Sequence, residues 1–392
     1  MEAFSTRWRQ PDGWEAPLPD LDGPSTLVLA FGASWLADRP GPLAELAAAY
    51  PRSCVLGCST AGAIEADTIH DDALVVTVVR FVHTRLAIAS EELAGTADSA
   101  ATGERLAASL RSRLGELSAL LVLSDGLEVN GSELARGLSR AAGGAVVTGG
   151  LAADGDRFER TWVLIDGEPR QGRVCAVGLA GDELVVRHGS RGGWDIFGPE
   201  RRVTRAEGNV LRELDGQPAL GLYRRYLGDL AAGLPATALL FPLEVRSGQD
   251  DPHPVVRTVL GIDEDNQTMT FAGDVPEGSL ARLMRANFDR IIDGALEAAE
   301  QAQLCPLGGA AGGTAETGPS VAIAVSCVGR RLLLGERTEE ELEAAQSGLP
   351  GSTVLCGYYS YGEISPVASG SCDLHNQTMT LTLLSERTPR GG

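Results

Sequence analysis

The chain has 392 residues, too many for one ordinary hydrophobic core, and its length predicts two domains. Its 33 basic and 53 acidic residues give a formal net charge of −20, which disfavours nucleic acid and anionic membrane surfaces as partners. Every basic residue is arginine. The lack of lysine excludes Schiff-base chemistry, a Walker A phosphate site and a kinase of the usual type.

The N-terminus is polar and rich in proline, without the apolar stretch of an export signal, and no run of about 18 apolar residues follows. The seven cysteines are odd in number, and most lie within apolar runs such as SCVLGC and VCAVGL. We therefore expect buried free thiols in a reducing cytoplasm and no disulfide framework. The sequence contains no CxxC pair and no HExxH motif, which argues against a structural zinc site.

The first long segment, Ser25 to Leu93, predicts a strand, a helix, a second strand and then two further strands. STLVLAFGASW and SCVLGCSTAGAI are the buried strands around the helix GPLAELAAAYP, and DDALVVTVVRFVH and TRLAIAS are rich in β-branched residues. A helix should follow, because four leucines form one apolar stripe: Leu106, Leu110, Leu114 and Leu117.

The same order of elements recurs from Ser118 to about Trp194. SALLVLSDGL predicts a strand, and Asn130 predicts an N-cap, with Glu133 three residues further on in a capping-box arrangement. GAVVTGGLAADGD repeats the strand and small-residue turn, which makes Gly149 the counterpart of Gly57.

The second half shows the pattern again. ALLFPLEV and PVVRTVLGI predict strands, SLARLMRANFDRIIDGALEAAEQAQ predicts the longest helix, and residues 304–320 predict a Gly-rich loop. SVAIAVSCVGRR predicts a strand, and Thr338 with Glu341 predicts a capping box at the start of the next helix. The pentapeptide NQTMT occurs at residues 266–270 and again at 376–380, which indicates structural duplication.

These patterns predict an α/β fold of two modules, each built from repeated β-α-β-β-β units, with mixed sheets covered by helices in an αββα sandwich. The predicted divisions are a polar N-terminal extension at 1–24, a first module at 25–200, a second module at 201–386 and a tail at 387–392.

Six motifs in chain order resemble the FIST family over about Ser25 to Glu386: GCSTAG, GGLAADG, FPLEV, SCVGRR, CGYYSYGEISP and DLHNQT. The first resembles the N-terminal FIST module, and FPLEV, SCVGR, GYYSYGEISP and HNQT resemble the C-terminal one. The resemblance implies a bacterial-type sensory module for a small ligand. Because no kinase, cyclase or receiver motif follows Glu386, we expect a separate signalling partner, such as a histidine kinase or another output protein.

Small residues in GCSTAG let backbone N–H groups of Gly57 and Cys58 approach an anion, and Ser59 and Thr60 add hydroxyl donors. The alternative is that these residues serve only close strand packing. The turn GGLAADG offers the same choice. The candidates in that turn are Gly149, Gly150 and Asp154.

Tyr358, Tyr361 and Glu363 are the strongest site candidates, because rings beside a carboxylate suit a cationic or amphipathic ligand such as an amino acid. The alternative is that the tyrosines seal an interface between modules. Cys327 beside Arg330 is either a thiolate activated by a cation or a buried thiol near a turn arginine.

Some FIST members resemble haem-binding nitric-oxide sensors, and a single histidine suffices as a haem ligand. His375 and His83 are the candidates, and a haem-based gas sensor is the first alternative function. GCSTA approximates a nucleophile elbow around Ser59, although a strand instead of a helix should follow it. A thiol- or serine-dependent hydrolase is therefore the second alternative. The favoured hypothesis is a cytoplasmic, non-enzymatic sensor of an amino-acid-like ligand.

Overall fold

The computed structural model describes residues 1–251, 254–304, 318–366 and 371–387. His253, Cys305, most of the predicted Gly-rich loop and nearly all of the predicted tail lie outside these ranges. The described chain forms four mixed or antiparallel sheets with helices against them. This confirms the α/β fold with mixed sheets and covering helices that the sequence predicts.

The elements of the first half, numbered in chain order, are strands β1 (Glu2–Arg9), β2 (Gly13–Trp14), β3 (Thr26–Gly32), β4 (Cys54–Ser59), β5 (Ala63–Glu65), β6 (Thr68–His70), β7 (Ala73–Arg80), β8 (Arg85–Glu92), β9 (Ala119–Ser124), β10 (Val146–Leu151), β11 (Val163–Ile165), β12 (Glu168–Arg170), β13 (Arg173–Ala180) and β14 (Leu184–Arg191), with helices α1 (Gly41–Ala49), α2 (Ser99–Leu114) and α3 (Gly131–Ala141).

The elements of the second half are strands β15 (Asp195–Ile196), β16 (Arg201–Glu207), β17 (Val210–Leu214), β18 (Gln217–Pro218), β19 (Leu243–Arg246), β20 (Val255–Arg257), β21 (Val259–Asp263), β22 (Thr268–Phe271), β23 (Leu280–Arg285), β24 (Ser320–Cys327), β25 (Thr353–Ser360), β26 (Glu363–Pro366), β27 (Cys372–His375) and β28 (Met379–Glu386), with helices α4 (Ala219–Leu227), α5 (Phe288–Leu304), α6 (Val328–Leu334) and α7 (Thr338–Ser347).

A repeated unit occurs three times. In each copy two parallel strands are joined by helix, and a third strand returns antiparallel beside the first of the pair. Unit 1 is β3-α1-β4 with β7, unit 2 is β9-α3-β10 with β13, and unit 3 is β24-α6-α7-β25 with β28. The N-terminal strand β1 extends the sheet of unit 1 by pairing with β7.

The three units exchange their hairpins in a cycle. The hairpin β5–β6, which follows β4, pairs with β25 of unit 3, while β11–β12 pairs with β4 and β26–β27 pairs with β10. Strands β8 and β14 likewise complete the sheets of the next unit in the chain. The three sheets are therefore interlocked, and a core of strand residues fills the space between them.

The exchange brings the three small-residue turns after β4, β10 and β25 together. The backbone N–H of Ala61 donates to the carbonyl of Tyr359 (2.9 Å), and the N–H of Ala153 donates to the carbonyl of Ser59 (3.0 Å). Gly149 has φ +140°, and a Cβ there would lie 1.8 Å from the Val122 carbonyl oxygen. Close strand packing thus accounts for glycine at this position.

Helices cover the outer faces of the sheets. The predicted leucine stripe of α2 is confirmed for Leu106, Leu110 and Leu114, which are buried where α2 packs on the second sheet and α3. Leu117 is buried as well, but it lies beyond the end of the helix, so its predicted place on the helix is wrong. Asn130 caps α3 as predicted, since its side-chain oxygen accepts the N–H of Glu133 (3.1 Å). The six cysteines in the described residues are free and buried, also as predicted.

Between units 2 and 3 the chain forms a separate nine-stranded sheet from β15–β23, with α4 packed on it, and we call residues 195–285 the insert. A buried arginine, Arg257, connects the insert to the three units through hydrogen bonds. Arg257 donates to the carbonyl of Leu374 (2.7 Å) and to that of Asp274 (2.9 Å). Asp274 accepts the side-chain amide of Asn130 (3.2 Å).

Two predicted helix features of the second half are wrong. The segment 280–285 is strand β23, because it pairs with β19 and β16, and α5 begins only at Phe288. Thr338 is the first residue of α7 and not its cap, since its hydroxyl donates to the Gly335 carbonyl (2.6 Å). Glu341 makes no capping box because its carboxylate pairs with Arg330.

Candidate functional site

A cavity of about 290 Å³ lies between units 2 and 3 and the insert. The units contribute the loop after β10, the turn after β25 and the start of α6, while the insert contributes two loops and β21. The lining residues are mostly apolar: Phe158, Gly233, Leu234, Pro235, Ala236, Leu239, Thr258, Val259, Leu260, Ala272, Cys327, Val328, Gly329, Leu332 and Tyr361. Such an apolar hollow with few polar groups is typical of a small-ligand site.

One wall of the cavity is a pair of stacked rings. Phe158 lies parallel to Tyr361, with ring centroids 4.3 Å apart and an interplanar angle of 9°. The Tyr361 hydroxyl donates to the carboxylate of Asp154 and accepts the backbone N–H of Phe158 (3.2 Å). Burial raises the pKa of the Tyr361 phenol, so the ring stays uncharged. Half of the Phe158 side chain remains exposed at the rim.

Asp154 holds this wall in place. Its carboxylate accepts the backbone N–H groups of Phe158 (3.0 Å), Glu159 (3.1 Å) and Arg160 (2.9 Å). Phe158 itself has φ +54°, a left-handed conformation that is rare for a bulky residue. Strain of this kind persists where the surroundings enforce it, and it is common at binding sites.

Two residues with polar side chains, Thr258 and Cys327, are among those that line the apolar cavity. The Thr258 hydroxyl is buried and has no hydrogen-bond partner among the described residues. The Cys327 sulfur faces the backbone N–H groups of Gln377 and Gly329, but burial raises the pKa of this thiol and keeps it protonated. Cys327 is therefore a poor nucleophile in this conformation.

Glu363 lies near Cys327 and is fully buried. Its carboxyl group contacts the Ser360 hydroxyl (2.8 Å), the Thr378 hydroxyl (2.8 Å) and the Thr378 backbone N–H (3.2 Å). Burial raises the pKa of Glu363 to about 8, against the opposing effect of these hydrogen bonds and of Arg330. The group is thus mainly neutral at pH 7.

Arg330 and Glu341 form an ion pair that is wholly shielded from solvent, with a guanidinium-to-carboxylate distance of 2.5 Å. Arg330 also donates to the carbonyls of Ile291 (2.7 Å) and Gln377 (3.4 Å). These contacts tie α6 to α5, α7 and the turn after β27, so the pair acts in the framework and leaves no free charge at the cavity.

Two amide side chains next to this framework stand out. Asn376 and Gln377 are fully buried, and neither the oxygen nor the nitrogen of either amide has a partner among the described residues. An unpaired buried polar group costs about 1–3 kcal/mol, which a native protein rarely tolerates without a use for it.

The GCSTAG residues lie where the three units meet and not in the cavity lining. The Ser59 hydroxyl accepts the Trp162 backbone N–H (3.0 Å), and the Thr60 hydroxyl donates to the Gly62 carbonyl (2.7 Å). Tyr358 stacks on Phe31 with centroids 4.7 Å apart, and a Cβ on Gly150 would lie 2.9 Å from the Tyr358 hydroxyl.

The predicted site residues thus fall into three places. Tyr361, Cys327 and Asp154 are at the cavity, with Asp154 behind the ring wall. Glu363 and Arg330 lie in the buried polar region beside it. The remainder, which share the junction of the units, are Gly57, Cys58, Ser59, Thr60, Gly149, Gly150 and Tyr358.

The sequence did not reveal the insert's side of the cavity or Phe158. Phe158 is an aromatic residue within the charged turn DGDRFER, and that contrast is the one local signal it offers. Thr258 lies among ordinary strand residues, and only the tertiary fold brings it into the same cavity lining as Cys327.

Neither candidate histidine fits a haem ligand in this cavity. His83 is exposed at the turn between β7 and β8, and His375 is buried but does not line the cavity. Burial lowers the pKa of His375 to about 4, so its ring is neutral. Among the described residues no cluster of three or more side chains suits a metal ion.

Two family models match consecutive parts of the chain: the FIST N domain at residues 26–217 and the FIST C domain at 219–366. The chain belongs to the FIST family. FIST domains are sensory domains of signal transduction. Within the described chain no helix is long and apolar enough to cross a membrane.

A curated relative, an uncharacterized protein of Methanocaldococcus jannaschii, is 29% identical over 175 residues, which is 40% of this chain and 32% of the relative. The chain therefore spans about a third of that protein's length. Two solved structures are similar over nearly their whole length. A chorismatase has 11% identity and a TM-score of 0.35, covering 98% of each chain. A cyanuric acid hydrolase from A. caulinodans has 10% identity and a TM-score of 0.38, covering 98% of this chain and 99% of that one. These scores are too low to show a shared fold.

Proposed function

We propose that this FIST protein is a cytoplasmic sensor that binds a small, mainly apolar ligand in the cavity between units 2 and 3 and the insert. The observation that carries the proposal is the cavity's construction: an apolar lining and an aromatic wall fixed by Asp154. Thr258 also lines the cavity, and its buried hydroxyl has no partner among the described residues. An output protein on a separate chain, such as a histidine kinase, would receive the signal.

The lining refines the ligand class. No lining residue among those described carries a charge. An amino acid would bury an ammonium and a carboxylate there without counter-ions, and burying unpaired charge is costly. The cavity therefore favours an uncharged molecule over the amino-acid-like ligand expected from the sequence.

The placement of the cavity supports sensing. Thr258 follows Arg257, which fastens the insert to the units through the Leu374 carbonyl. Ala272 donates its backbone N–H to the Thr258 carbonyl (2.9 Å). It also lies two residues from Asp274, whose carbonyl accepts a hydrogen bond from Arg257. A ligand that contacts Thr258 and Ala272 would bias the position of the insert, as a population shift requires.

The test is to fill the cavity. Ala272→Leu places three more carbons in the lining, and Ala232→Leu makes the same change at an exposed position of the insert outside it. We expect isothermal titration with 2-heptanone to show saturable binding to the parent protein, at least tenfold weaker binding to Ala272→Leu, and unchanged binding to Ala232→Leu. Equal affinity in all three proteins would place the ligand elsewhere.

A further inference from the structure

The inner wall of the cavity separates the apolar lining from the two unpaired amides. Gln377 packs against Gly329, because a Cβ on Gly329 would lie 2.5 Å from the Gln377 side-chain nitrogen. Asn376 lies beside Gly362, with its side-chain nitrogen 3.5 Å from the corresponding Cβ position. Gly329 and Tyr361, the neighbour of Gly362, both line the cavity.

The backbone of this turn is firmly held while its side chains are not. The Trp194 indole N–H donates to the Gln377 carbonyl (2.8 Å), and Cys327 donates its backbone N–H to the Thr378 carbonyl (3.1 Å). All four side-chain amide atoms of Asn376 and Gln377 remain without a partner among the described residues. The turn thus holds two NH₂ groups and two amide oxygens behind the cavity wall, with their hydrogen-bonding capacity unused among the described residues.

The charges around the amides cancel. Arg330 and Glu341 neutralise each other in their shielded pair, and Glu363 is mainly protonated at pH 7. A carboxylate or an ammonium group placed here would have no free counter-charge, whereas a neutral group that both donates and accepts hydrogen bonds would satisfy the amides.

We propose that Asn376 and Gln377 are the polar end of the ligand site: when the wall formed by Gly329 and Tyr361 shifts, they bind a neutral carboxamide group of a ligand whose apolar body lies in the cavity. A carboxamide matches an amide side chain donor to acceptor and acceptor to donor. This inference rests on the proposed function, since it names the ligand class of the same site.

The first experiment uses three probes of similar length on the parent protein: hexanamide, 2-heptanone and hexanoate. The ketone keeps the apolar body but loses the donor, and the acid is charged at pH 7. We expect isothermal titration to show hexanamide binding at least tenfold more tightly than 2-heptanone, and hexanoate binding more weakly than either.

The second experiment replaces one amide. Gln377→Met keeps the length of the side chain and removes its unpaired polar atoms. Its control is Gln267→Met in the first NQTMT copy, where the amide donates to the Glu264 carbonyl (2.8 Å). We expect Gln377→Met to reduce the preference for hexanamide over 2-heptanone to less than threefold and to raise the melting temperature of ligand-free protein. Gln267→Met should keep the full preference.

The outcomes separate the two proposals. If 2-heptanone binds in the cavity and hexanamide binds no tighter, the carboxamide inference is wrong and the apolar site stands. If no probe binds, both proposals fail. A Gln377→Met protein that keeps the preference, or melts at a lower temperature, would give the amide a structural role instead. If the variant does not fold, the probe preference of the parent protein decides alone.

Discussion

The two copies of NQTMT have the same residues and different surroundings. In both copies the glutamine is left-handed, with φ +54° at Gln267 and φ +61° at Gln377. In the first, Asn266 donates to the Asp263 carboxylate (2.8 Å) and Gln267 to the Glu264 carbonyl (2.8 Å), near solvent. In the second copy both amides are fully buried, and none of their polar atoms has a partner in the part of the chain that the structure describes.

The comparison separates what local sequence determines from what tertiary structure determines. The left-handed glutamine recurs in both copies. The first copy closes the hairpin of β21 and β22, whereas the second connects β27 and β28, which lie in different sheets. The solvation of the amides depends on what packs over the turn: solvent at 266–267, and α6, Trp194 and the turn after β25 at 376–377. Identical residues therefore serve a hairpin in one place and a candidate ligand site in the other.

The largest expected difference between the copies concerns the arginine beside each. Arg330→Met leaves Glu341 buried without its partner, and we expect a loss of about 3–5 kcal/mol in the free energy of unfolding. Arg224 pairs with Glu264 beside the first copy, but this pair is exposed. Arg224→Met should cost less than about 1 kcal/mol in chemical denaturation. Equal losses would mean that the second copy is not more deeply buried than the first.

A smaller difference concerns the glycine that contacts each glutamine. A methyl group on Gly329 would collide with the Gln377 amide, so Gly329→Ala should cost about 1–3 kcal/mol of stability. At the first copy a Cβ on Gly221 would lie 3.8 Å from the Gln267 oxygen, an ordinary contact. Gly221 lies within α4, so Gly221→Ala should be neutral or stabilising by up to about 1 kcal/mol. Denaturant titration measures both changes, and a harmless Gly329→Ala would contradict the packing described.

The smallest expected effect is a pH dependence confined to the second copy, where Thr378 contacts Glu363. The folded-state pKa of Glu363 is raised to about 8, so the folded protein holds a proton that the unfolded chain has lost. Stability should therefore fall as pH rises through 8, by on the order of 1 kcal/mol between pH 7 and pH 9. Glu363→Gln should remove this part of the slope. Parallel pH profiles for the two proteins would show that Glu363 is ionised throughout.

Much of the fold follows from sequence because strand and helix periodicity recurs in each unit. The β-α-β pairs, the first three leucines of the α2 stripe and the Asn130 cap are local patterns, and the structure confirms them. Strand β23 is different, because LARLMR fits a helix pattern locally and becomes a strand only through pairing with β16 and β19. The hairpin exchange also depends on long-range pairing that no local pattern expresses.

Less of the candidate site can be predicted from the sequence, because several of its contacts form only through long-range packing. Tyr361, Cys327 and Asp154 follow buried strands, where strand ends favour ligand sites, and they do lie at the cavity. Glu341 fits a capping box by spacing, yet its partner is Arg330 from the preceding helix. Thr258 and Gln377 become notable only in the folded structure, where their buried polar atoms have no partner among the residues described.

The most direct test observes both copies in one spectrum. Side-chain NH₂ resonances of Gln377 and Gln267 would be assigned with the two methionine variants and followed by ¹H–¹⁵N NMR while hexanamide is added. We predict a saturable shift of the Gln377 resonances, with the Gln267 resonances unmoved. Saturable hexanamide binding that leaves the Gln377 resonances in place would contradict the assignment of the second copy to the ligand site.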